Sequence, residues 1–176
     1  LLLVAVIAVL AFLNRDMIQR VAFGGLKVYE TTPPEMPADI PRPAILVFNK
    51  TNGFRHTDAL PAADALFKKF ASENGWGHFQ TDNGATFSAD ILSRFDAVVF
   101  NNVSGDVFTP DQRKALKDFI ENGGGFLAFH GSGGDMSYDW RWYVDELIGA
   151  QFIGHTMNPQ FAEATMHIED KSHPAT

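Results

Sequence analysis

The stretch "GGGFLAFHGSGGD", Gly123 to Asp135, decides how this chain is read. A short apolar run, Phe126 to Phe129, ends at His130, and Gly131, Ser132, Gly133 and Gly134 follow. An apolar run of this length between glycines predicts a buried strand that stops in a sharp turn. Just before it, "TPDQRKALKDFIENGGG" carries a full set of helix signals. Thr109 can cap the helix, Pro110 suits its first turn, Gln112 completes a capping box and Gly123 ends it. The apolar stripe is Ala115, Leu116, Phe119 and Ile120. A helix feeding a buried strand through two or three glycines is half of a strand–helix–strand unit.

The same alternation extends outward. "AILVF" (Ala44 to Phe48), "GHFQT" (Gly77 to Thr81) and "DAVVFNN" (Asp96 to Asn102) read as strands, and the continuous apolar runs Ala44 to Phe48 and Ala97 to Phe100 mark two of them as covered on both faces. Between the first two, Asp58 to Asn74 predicts a helix with Ala63, Leu66, Phe67 and Phe70 on one stripe, closed at Asn74-Gly75. "SADILSRF" is a short helical turn, and the segment after Trp140 predicts a helix to Leu147 and then a glycine-bounded strand. Strand, helix, strand with short links specifies an α/β domain with a parallel sheet flanked by helices. Ligands of such sheets bind beyond the carboxyl ends of the strands. Those ends are Asn49 to His56, the stretch after Thr81, Asn101 to Asp106, and His130 to Asp135.

Composition narrows the function classes. A formal charge of −7 and a pI near 5.2 leave no basic face for nucleic acid. The absence of cysteine removes disulfides, thiolate-ligated zinc and thiol nucleophiles. Residues 1–29 open with an apolar run to Leu13, continue with Arg15, Arg20 and Lys27, and read as a membrane anchor or signal region. Residues 30–43 hold five of the nine prolines and predict an extended linker, so that the folded domain occupies 44–176. That order of segments predicts a domain tethered to a membrane, and an extracytoplasmic placement is the expected one.

Three histidines stand out. His130 sits where a strand meets a turn, the position at which a neighbouring backbone N–H can stabilise an oxyanion while an imidazole moves a proton. His56, with Arg55, lies in the first strand's loop just before a helix, and His155 follows a glycine in "GHTMNP". Their spacing is no zinc signature, so no metal ligand set and no cofactor is assigned, and a divalent cation is an option without sequence support. His78 and His167 fall in strand-like stretches and read as structural. Ser132 is the alternative nucleophile, but no G-x-S-x-G surrounds it. Asn102, Asp139, Trp140 and Tyr143 form a polar and aromatic set suited to a small-molecule carbohydrate, whose CH faces stack on rings and whose hydroxyls bond to acids and amides.

Five ordered segments then carry a resemblance: "LVFNKTNGFRH", "FDAVVFNNVSGD", "FIENGGGFLAFHGSGGD", "DWRWYVDELIGAQFIGH" and "DKSHPAT". Together, from Ala44 to Thr176, they resemble the ThuA-like (trehalose utilisation) domain. The resemblance implies a flavodoxin-like parallel sheet similar to class I glutamine amidotransferases, continuing in family members past the last of these residues. It also places His130 where amidotransferases keep their cysteine, which rules out glutaminase chemistry here. The expected activity is acid/base chemistry on trehalose or a related disaccharide or keto-sugar, as an isomerase, lyase or hydrolase. His130 would be the acid/base, His56 and His155 would assist, and Arg55, Asn102, Asp139, Trp140 and Tyr143 would hold the sugar. Two other readings use the same residues: a membrane-tethered carbohydrate-binding or sensing module without catalysis, and a metal-dependent hydrolase. The sequence leaves the oligomeric state open.

Overall fold

The computed structural model describes residues 2–133, 139–156, 158–159 and 162–174. Helices α1 (Leu2–Leu13) and α2 (Arg15–Ala22) precede an extended stretch. Then come β1 (Ala44–Phe48), α3 (Ala59–Asn74), β2 (Gly77–Thr81), α4 (Ala89–Leu92), β3 (Ala97–Asn101), α5 (Pro110–Glu121) and β4 (Gly125–Phe129). A π-helical segment, Trp142–Ile148, follows. The expected signals produce these elements. Gly75 closes α3 in the left-handed region, and Thr109 and Gln112 form the reciprocal capping box of α5, with Thr109 N to Gln112 Oε1 at 3.0 Å.

All four strands are parallel, in the order β2-β1-β3-β4. The chain leaves β1 toward one edge and returns past it to β3, so the direction of winding reverses between β1 and β3. Strand side chains alternate between two cores. Leu46, Phe48, Val98 and Phe100 face a large aromatic core with Phe87, Phe108, Leu116 and Tyr143, on the side of α4, α5 and the π-helical segment. Val47 and Val99 face Ala63 and Phe67 of α3.

The structure corrects several expectations. The buried stripe of α3 is Leu60, Ala63, Phe67 and Ala71, whereas Leu66 and Phe70 are 39% and 43% exposed. The small Ala63 lets the helix lie close over Val47 and Val99, with Phe67 beside it, and on this face Leu66 and Phe70 turn outward. Residues 150–154 form no strand, and neither does the stretch around His167, because a strand needs a neighbour's ladder and these stretches pair with none among the described residues. Among the described residues no helix is long and apolar enough to cross a membrane. The 12 residues of α1 reach only about 18 Å, and Asn14, Arg15 and Asp16 interrupt the run.

The segment before β1 lies against the domain. Leu26 N donates to Asn52 O at 2.6 Å, Tyr29 Oη to Asp106 Oδ2 at 2.8 Å, and Gln112 Nε2 to Glu30 O at 2.8 Å. Glu30 also pairs with the buried Lys50 at the end of β1.

Candidate functional site

Beyond the sheet, the loops after β1 and β3 continue to pair. Asn52 N and Gly53 N both donate to Ser104 O, at 2.8 and 2.9 Å, and Ser104 Oγ donates to Phe54 O at 2.6 Å. This contact requires a glycine at 105. Gly105 has φ +71°, and a Cβ there would lie 2.3 Å from Gly53 N. The joined loops present Phe54, Arg55 and His56 at the carboxyl end of β1, and Arg55 Nη1 is steadied by Thr51 Oγ1 at 3.2 Å.

Asn102 and His130 emerge side by side from β3 and β4. Asn102 N donates to Phe129 O at 3.2 Å, and both residues adopt left-handed backbone, with φ +54° and +51°. Each such position costs on the order of 1–3 kcal/mol, and strain of this kind concentrates at functional sites. His130 Nδ1 meets Asn102 Oδ1 at 2.7 Å. A carbonyl oxygen only accepts, so neutral His130 carries its proton on Nδ1 and keeps the lone pair of Nε2 for chemistry.

His56 stands edge-on to His130, with ring centroids 4.4 Å apart and planes at 74°. Phe54 lies on its other side at 4.8 Å. A side chain at 131 would intrude on this pair, because a Cβ on Gly131 would lie 3.1 Å from His56 Cδ2 and 3.2 Å from Nε2. Burial, and then the neighbouring His130, hold the His56 pKa below its ordinary value, so His56 is neutral near neutral pH. Among the described residues no group of three or more His, Cys, Asp or Glu is placed to hold a metal ion.

Ser132, the competing nucleophile, is 1% exposed and serves the turn. Its Oγ donates to Phe100 O and accepts from Val103 N, both at 2.9 Å. The Gly131 N–H is directed at Asn102 Oδ1 at 3.4 Å rather than at an open pocket. The far end of this loop, Gly134 and Asp135, lies outside the described residues.

The structure therefore brings together His130, His56 and Asn102, with Arg55 on the same loop as His56. The rest of the expected sugar-binding set is placed otherwise. Tyr143 is buried, and its hydroxyl donates to Ser132 O. Trp140 is 9% exposed and packs on Phe108, Tyr143 and Trp142, so neither ring offers an open face. Asp139 is exposed and pairs with Arg113 at 3.0 Å. His155 is exposed, with its Nδ1 at 3.0 Å from Thr156 O and its ring 6.0 Å from Phe152. The amide of Asn102 is directed at His130 Nδ1 and at Asn101 Oδ1, each at 2.7 Å.

One residue behind the site, Asp64, escapes a reading of the sequence alone. Asn101, whose amide like that of Asn102 is expected from the sequence to meet a ligand, is instead fully buried, and its Nδ2 donates to Asp64 Oδ1 at 2.7 Å and to Leu60 O at 3.1 Å. Asp64 lies on α3 beside the buried Leu60, Ala63, Phe67 and Ala71. A carboxylate inside an apolar stripe was the available signal, and it is missed when the stripe is drawn one position off.

A flavodoxin-like α/β domain with a histidine pair beyond the carboxyl ends of β1 and β4, strands that flank β3, is the class of protein this geometry defines. The chain belongs to the ThuA family: the family model described as trehalose utilisation matches residues 44–176. It is similar to the crystal structure of a ThuA-like protein from Bacteroides uniformis, at a TM-score of 0.51 and 25% identity, covering 67% of this chain and 48% of that one. Among curated proteins, the pentafunctional AROM polypeptide of Saccharomyces cerevisiae, in several strains, is 37% identical over 65 residues, which is 36% of this chain and 4% of that protein. The chain thus spans about half of the bacterial structure and a small fraction of the yeast polypeptide.

Proposed function

We propose that this domain acts on a carbohydrate, trehalose or a related disaccharide or its keto form, with His130 as the acid/base. The observation that carries the reading is the edge-on His56–His130 pair beyond the ends of β1 and β4. His130 Nε2 takes a proton from the carbon beside a sugar carbonyl and the electron pair of that C–H bond moves through the new C=C bond onto the carbonyl oxygen; the carbonyl then re-forms as the C–O bond on the next carbon breaks, and His130 returns the proton to the departing oxygen. An imidazole suits this work because its ordinary pKa lies near neutrality. His56, held neutral, faces the same substrate without adding a charge that would oppose protonation of His130. The Arg55 cation, one residue from His56, balances charge on the oxygen.

Family membership supports the substrate class, since the matching model is described by trehalose utilisation. The reading also places the domain outside the cytoplasm, attached to a membrane through the exposed apolar residues of α1. Cell fractionation tests this location, and complete recovery in the soluble cytoplasmic fraction ends it.

For the chemistry, the protein is incubated with a panel of disaccharides and their 3-keto derivatives, with binding and conversion followed by NMR. Conversion of at least one keto-sugar is expected, lost by roughly 100-fold or more in His130→Ala, the usual scale of a general acid/base contribution. Binding without conversion across the panel overturns the catalytic reading in favour of a binding module. Unchanged turnover in His130→Ala removes His130 from the mechanism.

A further inference from the structure

We propose that Asp64 is a positioning residue that sets the proton of His130 through two buried amides. The step from geometry to tautomer rests on the orientation of each group in turn. Asp64 Oδ2 accepts from Asn49 Nδ2 at 3.0 Å and from Gln80 Nε2 at 2.6 Å, which leaves Oδ1 turned to Asn101 at 2.7 Å. Asn101 Nδ2 faces two acceptors, Asp64 Oδ1 and Leu60 O, so its amide has one satisfied orientation, with Oδ1 turned away from them. That oxygen receives Asn102 Nδ2 at 2.7 Å, which turns Asn102 Oδ1 toward His130 Nδ1.

Flipping either amide would set oxygen against oxygen or nitrogen against donor. Both asparagines are 0% exposed, so water cannot repair the mismatch. The carboxylate on α3 thus determines which nitrogen of an imidazole two strands away carries the proton. In water the histidine side chain favours the opposite form, with hydrogen on Nε2. The relay reverses that preference and exposes the Nε2 lone pair. Its value for catalysis rests on the reading of His130 as the acid/base, but the tautomer itself does not.

The test uses the full chain labelled with 15N-histidine, with His130 assigned by loss of its signals in His130→Gln. Long-range proton–nitrogen correlations above the histidine titration range distinguish a protonated Nδ1 from a protonated Nε2 without any substrate. In the unaltered protein His130 should show nearly all Nδ1–H form. In Asp64→Leu, or in Asp64→Asn should the leucine variant not fold, that form should fall to a minority. Asn102→Asp, which still offers an acceptor to Nδ1, should keep the Nδ1–H form. A dominant Nε2–H form in the unaltered protein, or an undiminished Nδ1–H form in a folded Asp64 variant, overturns the relay. With a converted substrate in hand, the Asp64 variant should lose kcat by roughly tenfold or more with KM little changed. A shifted tautomer with unchanged kcat upholds the positioning role and overturns the acid/base role of His130 instead.

Discussion

Replacing Ser132 by alanine separates a structural hydroxyl from a nucleophilic one. The hydroxyl is 1% exposed and bridges the turn after β4 to the end of β3, donating to Phe100 O and accepting from Val103 N. In Ser132→Ala, the Val103 N–H loses its acceptor in a place water does not reach, at about 1–3 kcal/mol. Losing the bond to the Phe100 carbonyl adds about 0.5–1.5 kcal/mol, since that oxygen has a second lone pair to fall back on. The sum is about 3 kcal/mol. For a chain of this size that corresponds to a fall in Tm of about 6–12 °C. Urea unfolding followed by tryptophan fluorescence checks it, because Trp140 and Trp142 lie in and beside the core this turn packs against. The midpoint should drop with the slope m unchanged, and turnover should follow the folded fraction. A loss below about 0.5 kcal/mol, which is the ordinary scatter of surface changes, would refute the bridge. A variant of native stability without turnover would return Ser132 to the role of nucleophile.

Gly105→Ala should be more damaging, because its Cβ would fall 2.3 Å from Gly53 N at a residue with φ +71°. Strain and overpacking together cost on the order of 3–5 kcal/mol, seen as a lowered melting temperature or loss of soluble protein; an unchanged melting temperature argues against the paired loops. Stability should also decline on acidification. Burial first, then nearby positive charge, lowers the folded-state pKa of both His56 and His78 from 6.5. The unfolded chain therefore binds protons before the folded one, so stability is complete above about pH 6.5 and is lost as pH falls through the folded values. Melting curves between about pH 7 and about pH 5 measure this decline, and a His56→Gln/His78→Gln double variant should flatten it; an equal slope in the double variant assigns the effect to other groups.

Much of the fold was legible along the chain because its signals are local. The capping box at Thr109 and Gln112, the stop at Gly75 and the continuous apolar runs of β1 and β3 each act within a few residues. The same is true of the turn at His130, whose glycines announce it. The expected strand at 150–154 shows where local signals end: an apolar run becomes a strand only when a neighbour's ladder receives it.

The site divides along the same line. The sequence by itself determined the order of strands and helices, the lack of a cysteine at the turn after β4 and the presence of histidines at two strand ends. The tertiary structure alone decided that His56 and His130 stand edge to edge, that Trp140 and Tyr143 belong to the core, and that Ser132 is a bridge. It alone also joined Asp64 to His130, across 66 positions of sequence read from their numbers, through Asn101 and Asn102. A hydrogen bond's direction depends on which partner lies at the other end. In a parallel sheet that partner arrives from another crossover, so the proton on His130 is fixed by a helix that its own stretch of sequence never mentions.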